Sequence, residues 1–251
     1  MLCSPASAVL GFRAKYANVL RHYSLQATDS LKYKAALFII DNMEGHCSPE
    51  GVAMDKYIAH IQTMKKAKGI RELQATWQAS LKDGDVDIVP DSAVVSDDFL
   101  INDIDNAFSA WQRSQWKDSV PFSLFCRYIL PYRINDEHFG GNWREPLREQ
   151  YGAVIEGVED IRKAFAIVRD TVFKVVALSN SYCKYNLDPL TCNIVGRAEC
   201  SQRCILLVAV LRALGIPAAI DGTPMWADYS NKGHAWAAMI MGNGDTYTVF
   251  E

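Results

Sequence analysis

Apolar residues return every three or four positions through residues 6–23, 31–43 and 52–66. That spacing lays one hydrophobic stripe along a helix. Residues 97–113 repeat it, with Asp97 and Asp98 placed to cap the start. Lys82-Asp83-Gly84-Asp85 and Val89-Pro90-Asp91 are turn signals between these stretches. Residues 121–130 are strongly apolar and stop at Pro131, which predicts a short buried helix, and a longer one is expected over about 155–178. Trp143 and Arg144 read as helix packing in the N-terminal region. The character then changes. Residues 182–199 are rich in Asn, Asp, Pro, Cys and Gly and read as a loop. Residues 200–214 form an apolar helix closed by Gly215 and Pro217. Residues 216–221, 234–241 and 247–250 read as strands, and Gly242-Asn243-Gly244-Asp245 carries the Asn-Gly pair of a tight hairpin. Helices first, then one central helix, then an antiparallel sheet predict an α+β fold. The expected division is a mostly helical region over 1–150 and a core over 151–251.

Composition narrows the function classes. The chain has 251 residues, 49% of them hydrophobic and 22% charged, enough for one large domain or a core with a sizeable extra subdomain. A formal net charge of −3 gives no electrostatic reason to expect nucleic acid as a partner. Short basic clusters such as Lys65-Lys66-Ala67-Lys68 read as solvated helix faces. No apolar run approaches the roughly 18 residues of a transmembrane helix. Seven cysteines preclude complete intrachain pairing. Cys183 and Cys192 flank a loop and could bridge in an oxidising compartment. The spacing holds no CxxC and no paired histidine ligands, which argues against structural zinc. His22, His46, His60 and His138 have no spacing partner and read as ordinary polar residues.

The chemistry concentrates at the end of the chain. Cys200 stands where the loop meets the apolar helix, and the free N–H groups of a helix start stabilise a thiolate and can hold an oxyanion. His234 opens a predicted strand, and Glu251 ends the next one, so hairpin pairing would set base and acid side by side. Asp245 is an alternative acid at the hairpin turn. Asn193 is a candidate oxyanion donor beside the Cys200 backbone, and Trp226 and Trp236 are candidate walls of a substrate groove. Cys204 reads as a core residue one helical turn below Cys200.

These residues carry a resemblance. Gly196-Arg197-Ala198-Glu199-Cys200 followed by Leu211-Arg212-Ala213-Leu214-Gly215-Ile216-Pro217-Ala218 resembles the cysteine helix of the transglutaminase-like superfamily. Gly233-His234-Ala235-Trp236 is similar to its His-x-Trp strand, and Val249-Phe250-Glu251 falls where an apolar residue and the triad acid occur. Pro224-Met225-Trp226-Ala227 is similar to a group of uncharacterised bacterial members with a helical N-terminal region. The resemblance covers about residues 197–251. It implies a papain-like core and a Cys200–His234–Glu251 triad without metal or organic cofactor. The implied reaction is hydrolysis or transfer of amide bonds in a protein or peptide substrate, glycan-linked forms included. A non-catalytic binding module on the same fold is the alternative. The superfamily's acid is usually Asp rather than Glu, and many relatives carry Ala where Cys204 stands. Its sheet normally continues past the acid, so a longer protein is expected. The bacterial relatives imply export to the periplasm or cell surface, and Met1-Leu2-Cys3-Ser4 is compatible with a lipid anchor; a cytoplasmic protein is the alternative.

Overall fold

The protein is described here from a computed structural model, which covers residues 5–63, 69–225 and 233–249. It mixes α-helices with small sheets. Helices α1 (Pro5–Lys15), α2 (Ala17–Ser24) and α3 (Ser30–Asp41) precede strand β1 (Cys47–Glu50). Helices α4 (Val52–Gln62) and α5 (Ile70–Ser80) then lead to β2 (Asp87–Pro90), antiparallel to β1 with Cys47 opposite Pro90. Next come α6 (Asp91–Val94), α7 (Asp97–Arg113), α8 (Phe122–Tyr128), α9 (Arg144–Tyr151) and α10 (Ile161–Val175). Strand β3 (Ala177–Leu178) runs parallel to β4 (Arg197–Ala198), with α11 (Pro189–Val195) between them. Helix α12 (Cys200–Ala213) comes next, then the antiparallel sheet of β5 (Ala218–Thr223), β6 (His234–Ile240) and β7 (Thr246–Tyr247).

The expected central helix is α12. Every residue from Gln202 to Ala213 is buried, as a helix apolar on all sides requires. It ends where Gly215 takes φ 75°, a left-handed backbone that glycine adopts without a Cβ penalty. Arg212 is buried there too and spends its guanidinium on the carbonyls of Pro131 (2.9 Å), Arg133 (2.9 Å) and Ala218 (3.1 Å). Burial, and then the charge of Arg144, lower its pKa to about 9. The hairpin expected at residues 242–245 joins β6 to β7. Gly244 sits at φ 88°, and the Met241 N–H donates to the Asp245 carbonyl at 2.8 Å.

Several boundaries differ from expectation for local reasons. The stripe over 6–23 is two helices, broken at Tyr16, whose buried ring sends its hydroxyl to the Val95 carbonyl at 3.2 Å. The cap of α7 is Ser96, which accepts from the Phe99 N–H at 3.1 Å; Asp97 and Asp98 occupy the first turn and favour the helix dipole instead. The long helix expected over 155–178 starts at Ile161, because Gly157 at φ 74° turns the chain and Asp160 caps the helix after the turn. Residues 182–199 are not all loop. Asp188 caps α11, Pro189 fills its first turn and Gly196 ends it at φ 69°. The third strand stops at Tyr247, with Phe250 outside the described residues.

The main core draws on both sides of position 150. Ile40, Phe125 and Leu147 share it with Val168, Leu207 and Met239. A second, smaller core joins Tyr57, Leu73 and Trp77 of the α4–α5 pair to Tyr182, Leu187 and Val195 around α11. Buried ion pairs thread the main core: Arg144 meets Asp103 at 2.7 Å and Arg133 meets Asp91 at 2.5 Å. Cys183 and Cys192 are both free thiols, one in each core, rather than a bridge. Among the described residues no helix is long and apolar enough to cross a membrane.

Candidate functional site

Strand β4 delivers the chain to Cys200. The Ser179 N–H donates to the Ala198 carbonyl at 2.8 Å, so the parallel β3–β4 pair fixes the approach to α12. Glu199 is the cap residue, with extended backbone (φ −74°, ψ 173°) and no side-chain bond to the first-turn amides. Its carboxylate instead accepts from the Ser201 hydroxyl at 2.8 Å. The amides at the start of α12 therefore keep no side-chain cap, and Cys200 stands half-buried at that positive end.

His234 is the first residue of β6, opposite Thr223 of β5. Strand β6 packs on α12, which turns the beginning of the strand toward the beginning of the helix. Trp236 lies two residues on, on the same face by strand periodicity, with its ring centroid 6.1 Å from that of His234.

One cavity of about 40 Å³ collects these groups. Cys200, Arg203, Cys204 and Leu207 line it from a single face of α12, at the i, i+3, i+4 and i+7 positions. His234 and Trp236 line it from β6, Phe165, Arg169 and Phe173 from α10, and Val249 from the chain after β7. The structure thus brings together Cys200, His234 and Trp236 of the residues singled out in the sequence. The volume holds a water molecule or two, and a larger acyl group must enter from the open side.

The other expected residues lie elsewhere. Asn193 belongs to α11 and is not among the cavity residues. Its amide oxygen accepts from the Tyr151 hydroxyl at 2.7 Å and its amide nitrogen donates to Gln150 at 2.8 Å, so both groups are engaged outside the cavity. Asp245 stays in the hairpin turn, where it accepts from the Asn243 amide at 2.7 Å. Glu251 and Trp226 are outside the described residues. Cys204 is buried as expected, and also forms part of the cavity wall below Cys200.

Two arginines and two phenylalanines of the cavity were not anticipated. The Arg203 guanidinium lies 3.4 Å from the Phe173 ring centroid, a cation–π stack. Arg169 pairs with Asp170 at 2.5 Å and donates to the Val249 carbonyl at 3.2 Å. The helical period could have found Arg203, three residues after Cys200. Nothing in the sequence ties α10 to this site. Comparison with protein-family models, with curated proteins and with solved structures finds no match for this chain.

Proposed function

We propose that the protein is a cysteine-dependent enzyme of the transglutaminase-like kind, with a papain-like core, that hydrolyses or transfers amide bonds of a protein or peptide. The observation that carries this reading is the shared cavity: a thiol at an uncapped helix start and an imidazole at a strand start open into the same small space. In this mechanism His234 takes the Cys200 proton and the sulfur attacks the substrate carbonyl. The first-turn amides of α12 face the oxyanion that forms. Collapse breaks the C–N bond, His234 gives its proton to the departing amine, and a thioester remains on Cys200. Water, deprotonated by His234, attacks the thioester, releasing the carboxylic acid and restoring the thiol; an amine in place of water gives transfer. Glu251, two residues after the cavity-lining Val249, orients the imidazole, and Trp236 forms a flat wall for the acyl chain.

Alkylation kinetics test the reading. Iodoacetamide at neutral pH should modify Cys200 faster in the native protein than in the unfolded chain, as located by peptide mapping, and His234→Ala should slow that step. If native Cys200 reacts no faster than the unfolded one, and His234→Ala changes nothing, the nucleophile assignment fails.

A further inference from the structure

A second constellation lies away from the cysteine cavity, where β1 turns into α4. Glu50 ends the strand, Gly51 makes the turn at φ 125°, and Asp55 falls in the first turn of the helix. A Cβ on Gly51 would sit 2.6 Å from the Asp85 carbonyl oxygen, so the turn that sets Glu50 beside Asp55 needs glycine. His138 comes in from the loop before α9, held by its N–H on the Asn186 carbonyl at 2.9 Å. One ligand atom each from Glu50, Asp55 and His138 lies within 4.8 Å of the others.

Three features separate this group from an ordinary acidic surface. His138 is 9% exposed, with Nε2 3.3 Å from Glu50 Oε2 and Nδ1 3.7 Å from Asp188 Oδ2. That second distance is too long for a hydrogen bond, and the buried Nδ1 has no hydrogen-bond partner among the described residues. Charge is also out of balance. Glu50, Asp55 and Asp188 surround one imidazole, and among the described residues no Lys or Arg pairs with any of the three. Even a protonated His138 leaves two of the three carboxylates without a cationic side-chain partner among the described residues, Asp55 at an exposed position. Finally, the supports are built in. Ser48 Oγ donates to Glu50 Oε1 at 2.5 Å, and Asp188 is fixed by capping α11 and by Gly140, where a Cβ would fall 2.4 Å from its side chain.

We propose that Glu50, Asp55 and His138 bind a divalent transition-metal cation of the Mn²⁺–Zn²⁺ class. One imidazole with two carboxylates suits such ions better than Ca²⁺ or Mg²⁺, which prefer oxygen ligands alone. His138 binds through Nε2, and Asp188, 3.7 Å from Nδ1, is placed to accept the Nδ1–H once the ring turns onto the metal. Ligands across an ion at about 2.1 Å lie at most about 4.2 Å apart, so a grouping within 4.8 Å needs at most a small closing movement. Exposed Asp55 is the one that can swing. The cation would fasten β1, α4 and the 138 loop to the start of α11. Leu187, beside Asp188, is held at both backbone groups by Gln202 of α12 (2.5 and 2.9 Å), so the tie reaches the cysteine helix.

The test is titration of the chelator-treated full chain with Mn²⁺, Zn²⁺ and Co²⁺, monitored by calorimetry, with Co²⁺ absorption to show the ligand types. One equivalent should bind, with Co²⁺ bands free of thiolate charge transfer, which separates this site from Cys200. Asp55→Asn, at an exposed position the fold does not need, should abolish binding. Asp188→Asn, which keeps the helix cap, should weaken it about 10–100-fold. Failure to bind any of the three ions, thiolate bands in the Co²⁺ spectrum, or wild-type affinity in Asp55→Asn would each overturn the proposal and leave an ion triad of Glu50, His138 and Asp188. None of these outcomes bears on alkylation of Cys200, so the two proposals fail separately.

Discussion

Arg144 shows how much a single residue can hold in this chain. Its guanidinium is buried against Asp103 (2.7 and 3.2 Å) and also donates to the carbonyls of Ile129 (3.0 Å) and Leu130 (2.7 Å). The Trp143 ring lies 4.4 Å from it, a cation–π contact. Arg144→Met keeps the apolar stem but strands a buried carboxylate and two carbonyls, so it should cost about 3–5 kcal/mol in a urea titration. Changing both partners, Asp103→Leu with Arg144→Met, should recover much of that loss, because no charge is then left unpaired. A single variant as stable as wild type would mean that the pair holds nothing. The sequence marks Trp143 and Arg144 as helix packing and could not show the pairing, since Asp103 is 41 residues away. Cys200, His234 and Trp236 were legible for the opposite reason: each sits in a short local signature whose element order fixes its place. Phe165, Phe173 and Arg169 reach the same cavity by tertiary packing of α10, which leaves no trace in local spacing.

Elements were readable where their signals were long, and lost where they were short. Seventeen residues of α7 present nearly five turns of periodicity, and the expected bounds of 97–113 match it. Helix α11 is seven residues inside a polar, cysteine-containing stretch, too short for a stripe to emerge. Its Asp188-Pro189 start and Gly196 stop were nevertheless present in the sequence. The helix ends also differ in what they bear. Asp160 caps α10 by accepting from the Arg162 and Lys163 N–H groups at 2.7 and 3.2 Å. Asp160→Ala should therefore cost about 1 kcal/mol, the ordinary value of a lost cap. Gly215 at the far end of α12 carries more. Its backbone is left-handed, an added Cβ would meet the Ala110 carbonyl oxygen at 2.6 Å, and its own carbonyl accepts from the Trp116 indole at 2.7 Å. Gly215→Ala should cost about 1–3 kcal/mol from backbone strain alone, with the steric contact adding to it. Thermal unfolding of the two variants side by side checks the order, and a Gly215→Ala protein no less stable than Asp160→Ala would contradict this account of the turn.

At the scale of the whole molecule, the two cores together set how the fold responds to alkali. Tyrosine and cysteine are buried in both, and burial disfavours their anions. It pushes the Cys183 thiol up to about 11 and the Cys126 thiol to about 12, from an ordinary 9.0. Burial likewise pushes Tyr16 and Tyr151 up to about 12 from 10.0, and raises Tyr23, Tyr57, Tyr132, Tyr182 and Cys192 as well. In the unfolded chain these groups lose their protons at 9–10, whereas the folded chain retains them, so the native state binds more protons. Stability is then fully present below about pH 9 and falls as pH rises from there toward 12. Arg212 works in the other direction. Its folded pKa near 9 lies below the unfolded 12.5, so the unfolded state holds its proton longer and that one group favours folding as pH rises. One such group against many buried phenols and thiols leaves the sign of the total unchanged. Each titrating group contributes up to about 1.4 kcal/mol per pH unit inside its own window. The urea midpoint, measured by circular dichroism and tryptophan fluorescence, should therefore drop steeply between pH 9 and pH 10.5. Cys183→Ala removes one of these groups, so its drop should begin at the same pH, which the remaining unfolded thiols set, but be less steep. A midpoint that stays level or climbs to pH 10.5 would mean that these phenols and thiols reach water in the folded protein.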